Sequence, residues 1–202
     1  MNQPLLDVQT TPADPLPLFH DWYAAAGESG VDDPSAMALA TVAADGTPAL
    51  RMVLVKAFGP DGFVFYTNHD SRKGDELNAD PRAALLFWWP PLLRQVRIEG
   101  PVERLSQAES AGYFATRPRG SQLGAWASPQ SREIPGRAWL EDRVAQVTAA
   151  HAGNDVPCPP FWGGYRVRPQ RIEFWQGRAD RLHDRVLYTR SGVAWERCRL
   201  AP

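Results

Sequence analysis

Apolar residues recur along this chain at two spacings. Phe19, Trp22, Tyr23 and Ala26 follow one another at the i, i+3, i+4, i+7 interval of an amphipathic helix. Asp14-Pro15 supplies its N-cap and first-turn proline, and Gly27 or Gly30 its end. From residue 36 onward the apolar runs shorten to strand length. Ala36 to Ala43 is a run of small residues, turned by Ala44-Asp45-Gly46-Thr47 into Arg51-Met-Val-Leu-Val-Lys56, which is apolar inside and cationic at both ends. The Gly59-Pro60-Asp61-Gly62 turn leads to Phe63–Thr67, and Asn68 to Ser71 enters a short helix. Arg82 to Trp89 and the alternating stretch Arg94 to Leu105 complete about five strands in this half, with Gly100-Pro101 marking a bulge or edge. Ser106 and Glu109 form a capping box for a helix through Phe114. Arg137 to Ala150 reads as another helix, followed by a proline-rich connector. Strands then begin at Phe161, at Arg171 and, after a 178–180 turn, at Arg181, with Val193 to Leu200 last. Short strands joined by turns point to a mainly β architecture with peripheral helices, an antiparallel barrel rather than a doubly wound parallel sheet. Residues 15–202 are expected to form one domain, preceded by a loose arm over 1–14.

Composition narrows the function classes. The formal net charge is −1, which gives no general attraction for nucleic acid or an anionic membrane, and no apolar run is long enough to span a bilayer. The N-terminus lacks a signal-peptide pattern, and Cys158 and Cys198 provide neither a disulfide framework nor metal spacing. The four histidines are scattered without a ligand pattern, so no metal is expected. These features predict a soluble protein of a reducing compartment, the cytoplasm. Glycine-rich nucleotide loops of the two commonest kinds are absent. The eight tryptophans suit a flat-ring pocket or a large interface.

Among 22 lysines and arginines only Lys56 and Lys73 are lysines, and both lie between residues 51 and 73. A compact ammonium is a point-charge phosphate donor. Arg72 and Lys73, at the start of a short helix, form a natural seat for a phosphate; the plain alternative is a solvated hairpin with surface charges.

The strings RMVLVK, FYTN…SRK, RQV, Y…RPRGSQLGAWASPQS, FWGG, EFWQG and RLHDR, with a terminal RLAP, run in one register from about residue 36 to the end. In them the chain resembles the pyridoxine/pyridoxamine 5′-phosphate oxidase family. The resemblance implies an FMN-binding split β-barrel, a homodimer with FMN at the subunit interface. The implied reaction oxidises pyridoxine or pyridoxamine 5′-phosphate to pyridoxal 5′-phosphate, with O₂ as acceptor and H₂O₂ released. By the same resemblance, Arg51, Met52, Val53, Leu54, Val55 and Lys56 line the flavin, and Tyr66, Thr67, Arg72 and Lys73 surround its ribityl phosphate. Gln95, Gln130, Ser131, Trp175 and Arg185 complete the flavin site, in part from the second subunit. Lys56, Tyr113, Arg117 and Ser121 correspond to a clamp on the substrate phosphate; Tyr113 and Arg117, four apart, share a face at a helix end. Arg181, Leu182 and His183 correspond to the substrate-ring motif, with Arg181 and His183 in the catalytic positions. Alternation along a strand is expected to put those two side chains on one face.

One departure stands out. Family members often carry an N-terminal Arg- and Tyr-bearing segment that closes over substrate, whereas here no arginine precedes Arg51. The competing functions are a related split-barrel flavoenzyme of phenazine-type biosynthesis, a nicotinamide-using flavin reductase, and a non-catalytic binder of flavin or pyridoxal phosphate.

Overall fold

The computed structural model describes residues 5–202. Helix α1, Pro15–Glu28, starts where Asp14 accepts a hydrogen bond from the Leu16 amide at 2.9 Å, and it buries Phe19, Trp22 and Ala26. Strands β1 (Ala36–Val42), β2 (Pro48–Leu54), β3 (Ala57–Gly59) and β4 (Gly62–Asn68) precede the short helix α2 (Arg72–Ala79). Next come β5 (Arg82–Trp89), β6 (Arg94–Arg104) and three helices, α3 (Gln107–Thr116), α4 (Arg119–Ala127) and α5 (Arg137–Ala150). Strands β7 (Trp162–Val167), β8 (Arg171–Gln176), β9 (Asp184–Ser191) and β10 (Ala194–Arg199) finish the chain. The expected mainly β fold with peripheral helices is present. β3, with three residues, is too short to leave a periodic signal, and α4 lies in a string that reads as motif rather than as helix.

All the ladders are antiparallel. The long sheet runs β10-β9-β8-β6-β5-β1-β2, and a second ladder joins β6 to β7, β7 to β4 and β4 to β3. β6 belongs to both. Up to Glu99 it pairs with β8, and from Val102 it pairs with β7. The change of partner falls at Gly100-Pro101, where a side chain at residue 100 would put its Cβ 1.9 Å from the Arg168 carbonyl oxygen. Glycine is required there by close approach.

Between the ladders lies an aromatic core. Phe19 packs edge-on against Phe58, Phe63 and Phe87 with ring centroids 4.8 to 5.2 Å apart, a geometry that adds to simple burial. A smaller cluster of Phe114, Leu123, Val156 and Trp162 seats α3 and α4 on β7.

The loose arm expected over 1–14 is corrected for residues 5–14; residues 1–4 lie outside the described residues. Leu6 is buried and its amide donates to Asp184 at 3.4 Å, and the Tyr188 hydroxyl donates to the Pro12 carbonyl at 2.9 Å. Arg199 and Arg197 also hold the segment, through Asp7 and the Thr11 carbonyl. The arm lacks cations of its own, but the last two strands supply them.

Candidate active site

The site begins with a tight turn. After β4 the chain folds back so closely that a Cβ at Gly74, in the first turn of α2, would stand 1.9 Å from the His69 carbonyl oxygen. That fold-back carries Lys73 to Thr67 and Gln130, with Nζ 3.2 Å from the Thr67 hydroxyl and 3.0 Å from Gln130 Oε1. The Thr67 hydroxyl also donates to Gln130 Oε1 at 2.9 Å. Burial, and then the neighbouring Arg51, pull the Lys73 ammonium below its ordinary pKa. Such a crowded cation invites an anion.

Two adjoining cavities share Arg51 and Lys73. One, of about 420 Å³, adds Arg72 and Ser131. Ser131 stands at φ 68, in the left-handed region uncommon for a non-glycine residue. The other, of about 350 Å³, is lined by Met52, Val53, Leu54, Lys56, Tyr66, Thr67, Tyr113, Arg117, Gln130 and Trp162 as well. A larger cavity of about 570 Å³ lies on the far side of Gln130, but Gln130 is its only member of the expected set. The chemistry therefore sits in the smaller pair.

The wall of the 350 Å³ cavity is a stack of rings. Tyr66 lies 4.0 Å from Tyr113 and 5.4 Å from Trp162, with planes within 16° and 10° of parallel. Arg117 caps α3, its guanidinium carbon 4.6 Å above the Trp162 ring. Its Nη1 is buried with no hydrogen-bond partner among the described residues, and burial lowers its pKa. An orphaned guanidinium donor costs free energy unless an acceptor arrives. Trp162 was not singled out by the sequence, although its place in FWGG, at the start of a strand, was the available signal.

Of the residues expected around the two cavities, Val55 and Ser121 line neither. Val55 turns into the core, 3% exposed, because alternation from Leu54 to Lys56 points it inward. Ser121 is exposed in the first turn of α4.

The remaining expected residues form a second group. Register sets Gln95 opposite Trp88 and Trp175, and Trp175 opposite Arg185, so the four make one row across β5, β6, β8 and β9. Arg185 pairs with Glu173 at 2.7 Å, and Glu173 also accepts from Arg97 at 2.8 Å. His183 packs 4.5 Å from the Trp175 ring, and its Nδ1 accepts from the Arg178 amide at 3.2 Å.

The expectation that Arg181 and His183 alternate along a strand is corrected. β8 and β9 stop pairing at Gln176–Asp184, so residues 177–183 form a loop. Asp180 and Arg181 stand at φ 55 and 60, and Arg181 and Leu182 are exposed. Asp184 anchors the loop's end through Arg178 at 2.7 Å and Arg199 at 2.6 Å.

The Gln95–Trp175–Arg185 row lies on the face of the long sheet that turns away from the aromatic core, whereas Arg51, opposite the buried Leu39, points to the other face. Met52, Ala38, Leu86, Arg97, Glu173 and Leu187 run across the outward face in register. From β2 to β8 is four strand steps, roughly 19 Å at the usual spacing. The same face exposes Leu50, Met52, Leu54 and Trp88, at 70%, 64%, 38% and 44%. A contiguous apolar face of this kind marks an interface.

Residues 25–151 match the family model described as pyridoxamine 5′-phosphate oxidase. Residues 162–202 match the one described as the pyridoxine 5′-phosphate oxidase C-terminal dimerisation region. Curated proteins called pyridoxine/pyridoxamine 5′-phosphate oxidase are similar over most of their length. The one from Rubrobacter xylanophilus is 57% identical over 94% of this chain and 87% of its own. That from Sphingopyxis alaskensis is 58% identical over 94% and 88%. Among solved structures, PhzG from Burkholderia lata, in complex with tetrahydrophenazine-1-carboxylic acid, superposes with a TM-score of 0.91 at 33% identity, covering 98% of both chains. A pyridoxamine 5′-phosphate oxidase-related, FMN-binding protein from Nostoc punctiforme shares the fold, with a TM-score of 0.74 at 20% identity over 95% of this chain and all of its own.

Proposed function

Since the chain belongs to the pyridoxine/pyridoxamine 5′-phosphate oxidase family, we propose that it is an FMN-dependent oxidase. It converts pyridoxamine and pyridoxine 5′-phosphate to pyridoxal 5′-phosphate, working as a homodimer with two interfacial sites. The observation that carries this reading is the grouping of cations around two adjoining spaces, Arg51, Arg72 and Lys73 lining the first and Arg117 by Trp162 in the second, aromatic-walled one. A flavin mononucleotide and a phosphorylated substrate each present one phosphate, and the two cationic groups suit two phosphates. The crowded Lys73 ammonium and the orphaned Arg117 donor fit that assignment.

Arg72, Lys73, Arg51 and Thr67 hold the flavin phosphate through charge-assisted hydrogen bonds. Gln130 and Ser131 flank it, and Gln95, Trp175 and Arg185 of the second subunit complete the flavin site. Bound FMN supplies two-electron oxidation and reoxidation by O₂ with H₂O₂ release. Lys56, Tyr113, Arg117 and Ser121 bind the substrate phosphate. Arg181 and His183 orient the pyridine ring from the loop over 177–183. The packed rings of Tyr66, Tyr113 and Trp162 exclude water from one side.

The decisive experiment measures peroxide release from pyridoxamine 5′-phosphate and identifies the released flavin by chromatography. FMN with steady turnover is expected. FAD, or binding without turnover, defeats the proposal. The 33% identical phenazine-associated structure supplies the competing reading; turnover of a reduced phenazine carboxylic acid in place of the vitamer would favour it.

A further inference from the structure

Glu76 lies directly behind the cations assigned above to the flavin phosphate, yet it lines neither cavity. Its side chain is 4% exposed. One oxygen, Oε2, accepts from Arg51 Nη2 at 2.5 Å and from the Thr41 hydroxyl at 2.5 Å. The other, Oε1, accepts from Arg72 Nε at 2.8 Å. Thr41 in turn accepts from Arg51 Nη1, so one carboxylate and one hydroxyl fix the Arg51 guanidinium in its plane. Burial alone would raise the Glu76 pKa, but the hydrogen bonds from Thr41, Arg51 and Arg72 outweigh it and hold the carboxyl below its ordinary value.

A buried carboxylate beside a phosphate site repels the phosphate, so its presence needs a compensating role. Arg51 and Arg72 come from different elements, a strand and a helix, and both are long and rotamer-rich. Without a shared acceptor, each loses conformational freedom when phosphate binds. Three cations less one carboxylate also leave a charge of +2 to face a phosphate dianion, so the pocket stays cationic.

We propose that Glu76 is a positioning residue, an internal acceptor that presets Arg51 and Arg72 in the pose that binds the FMN phosphate. The inference rests on the flavin reading above and adds a residue to it. Riboflavin lacks the phosphate and should be indifferent to Glu76.

The test titrates apoprotein with FMN and with riboflavin by flavin-fluorescence quenching. For Glu76→Ala, FMN affinity should fall by about tenfold to a hundredfold, the worth of one oriented hydrogen bond to a charged group, with riboflavin affinity unchanged. Glu76→Gln keeps one carbonyl acceptor and should fall between the two, and it decides the matter if the alanine variant does not fold. FMN affinity that is unchanged or tighter in the variant that folds overturns the inference, as does an equal loss for FMN and riboflavin. Lys73→Ala separates this from the site assignment. If it too leaves FMN affinity untouched, the phosphate lies elsewhere and the flavin reading fails; if it weakens FMN while Glu76→Ala does not, only the role of Glu76 falls.

Discussion

At the residue scale, Arg117 is held by the ring beneath it rather than by an ion pair. Its guanidinium stacks on Trp162, and its Nη1 has no partner among the described residues. Arg117→Ala should therefore lower kcat/KM for pyridoxine 5′-phosphate by about tenfold to a hundredfold, the worth of a charge-assisted hydrogen bond. Activity on unphosphorylated pyridoxine and the flavin content should hardly change; a colourless variant would show that Arg117 serves the flavin instead. His69 makes a pH prediction. Burial, with the nearby Arg104, lowers its pKa, its Nδ1 has no partner among the described residues, and it packs edge-on to Tyr165 at 5.0 Å. The native state thus favours neutral imidazole, while the unfolded state takes up a proton near pH 6.5. The stability this confers is complete above about pH 6.5 and is lost as pH falls below it. Thermal unfolding between pH 8 and pH 5 should show a melting-temperature decline that is shallower in His69→Gln. Equal slopes in both proteins would assign the acid sensitivity to other groups.

Among the elements, β6 bears the most constraint, because one strand serves two ladders and bends where it changes partner. A methyl group at Gly100 meets a backbone oxygen that cannot swing aside. Gly100→Ala should cost about 3 kcal/mol, the upper range for overpacking, or roughly 6–12 °C in Tm for a domain of this size. A loss under a few degrees would mean the ladder tolerates more play than its register implies. This bend was readable as a Gly-Pro interruption of an alternating strand, and the β1–β2 hairpin and the capping box of α3 were readable from local chemistry. The strand from Arg51, however, pairs with β1 and not with β4, whose hairpin partner is the short β3. The loop at 177–183 was not readable. Alternation continues through Arg181 and His183 in the sequence, and what ends the strand is the anchoring of Asp184 by Arg178 and Arg199. The docking of residues 5–14 escaped for the same reason, since its partners lie on β9 and β10. Val55 was carried into the site by a contiguous motif although strand alternation excluded its side chain. The pairing of Glu76 with Arg72 has a helical i, i+4 spacing, but its pairing with Arg51 exists only once β2 and α2 are folded together.

For the whole molecule, the outward face of the long sheet carries the exposed Leu50, Met52, Leu54 and Trp88 that the proposed homodimer would cover. Ala84 sits mid-face on β5, opposite Ala40 of β1 and Glu99 of β6, and lines neither cavity assigned to the flavin. Ala84→Arg should open the interface, and the flavin should leave with it, because binding and assembly are linked. Sedimentation and flavin absorbance would report both; a flavin-loaded monomer would separate them. Finally, the proposed division of one flavin site between Lys73 of one subunit and the Trp175–Arg185 row of the other has a consequence for mixed populations. A Lys73→Ala subunit and an Arg185→Ala subunit are each defective at both sites of their own homodimer. Refolded together, a hybrid pair concentrates both lesions in one site and restores the other, so two inactive preparations should complement each other to about a quarter of wild-type activity after random pairing.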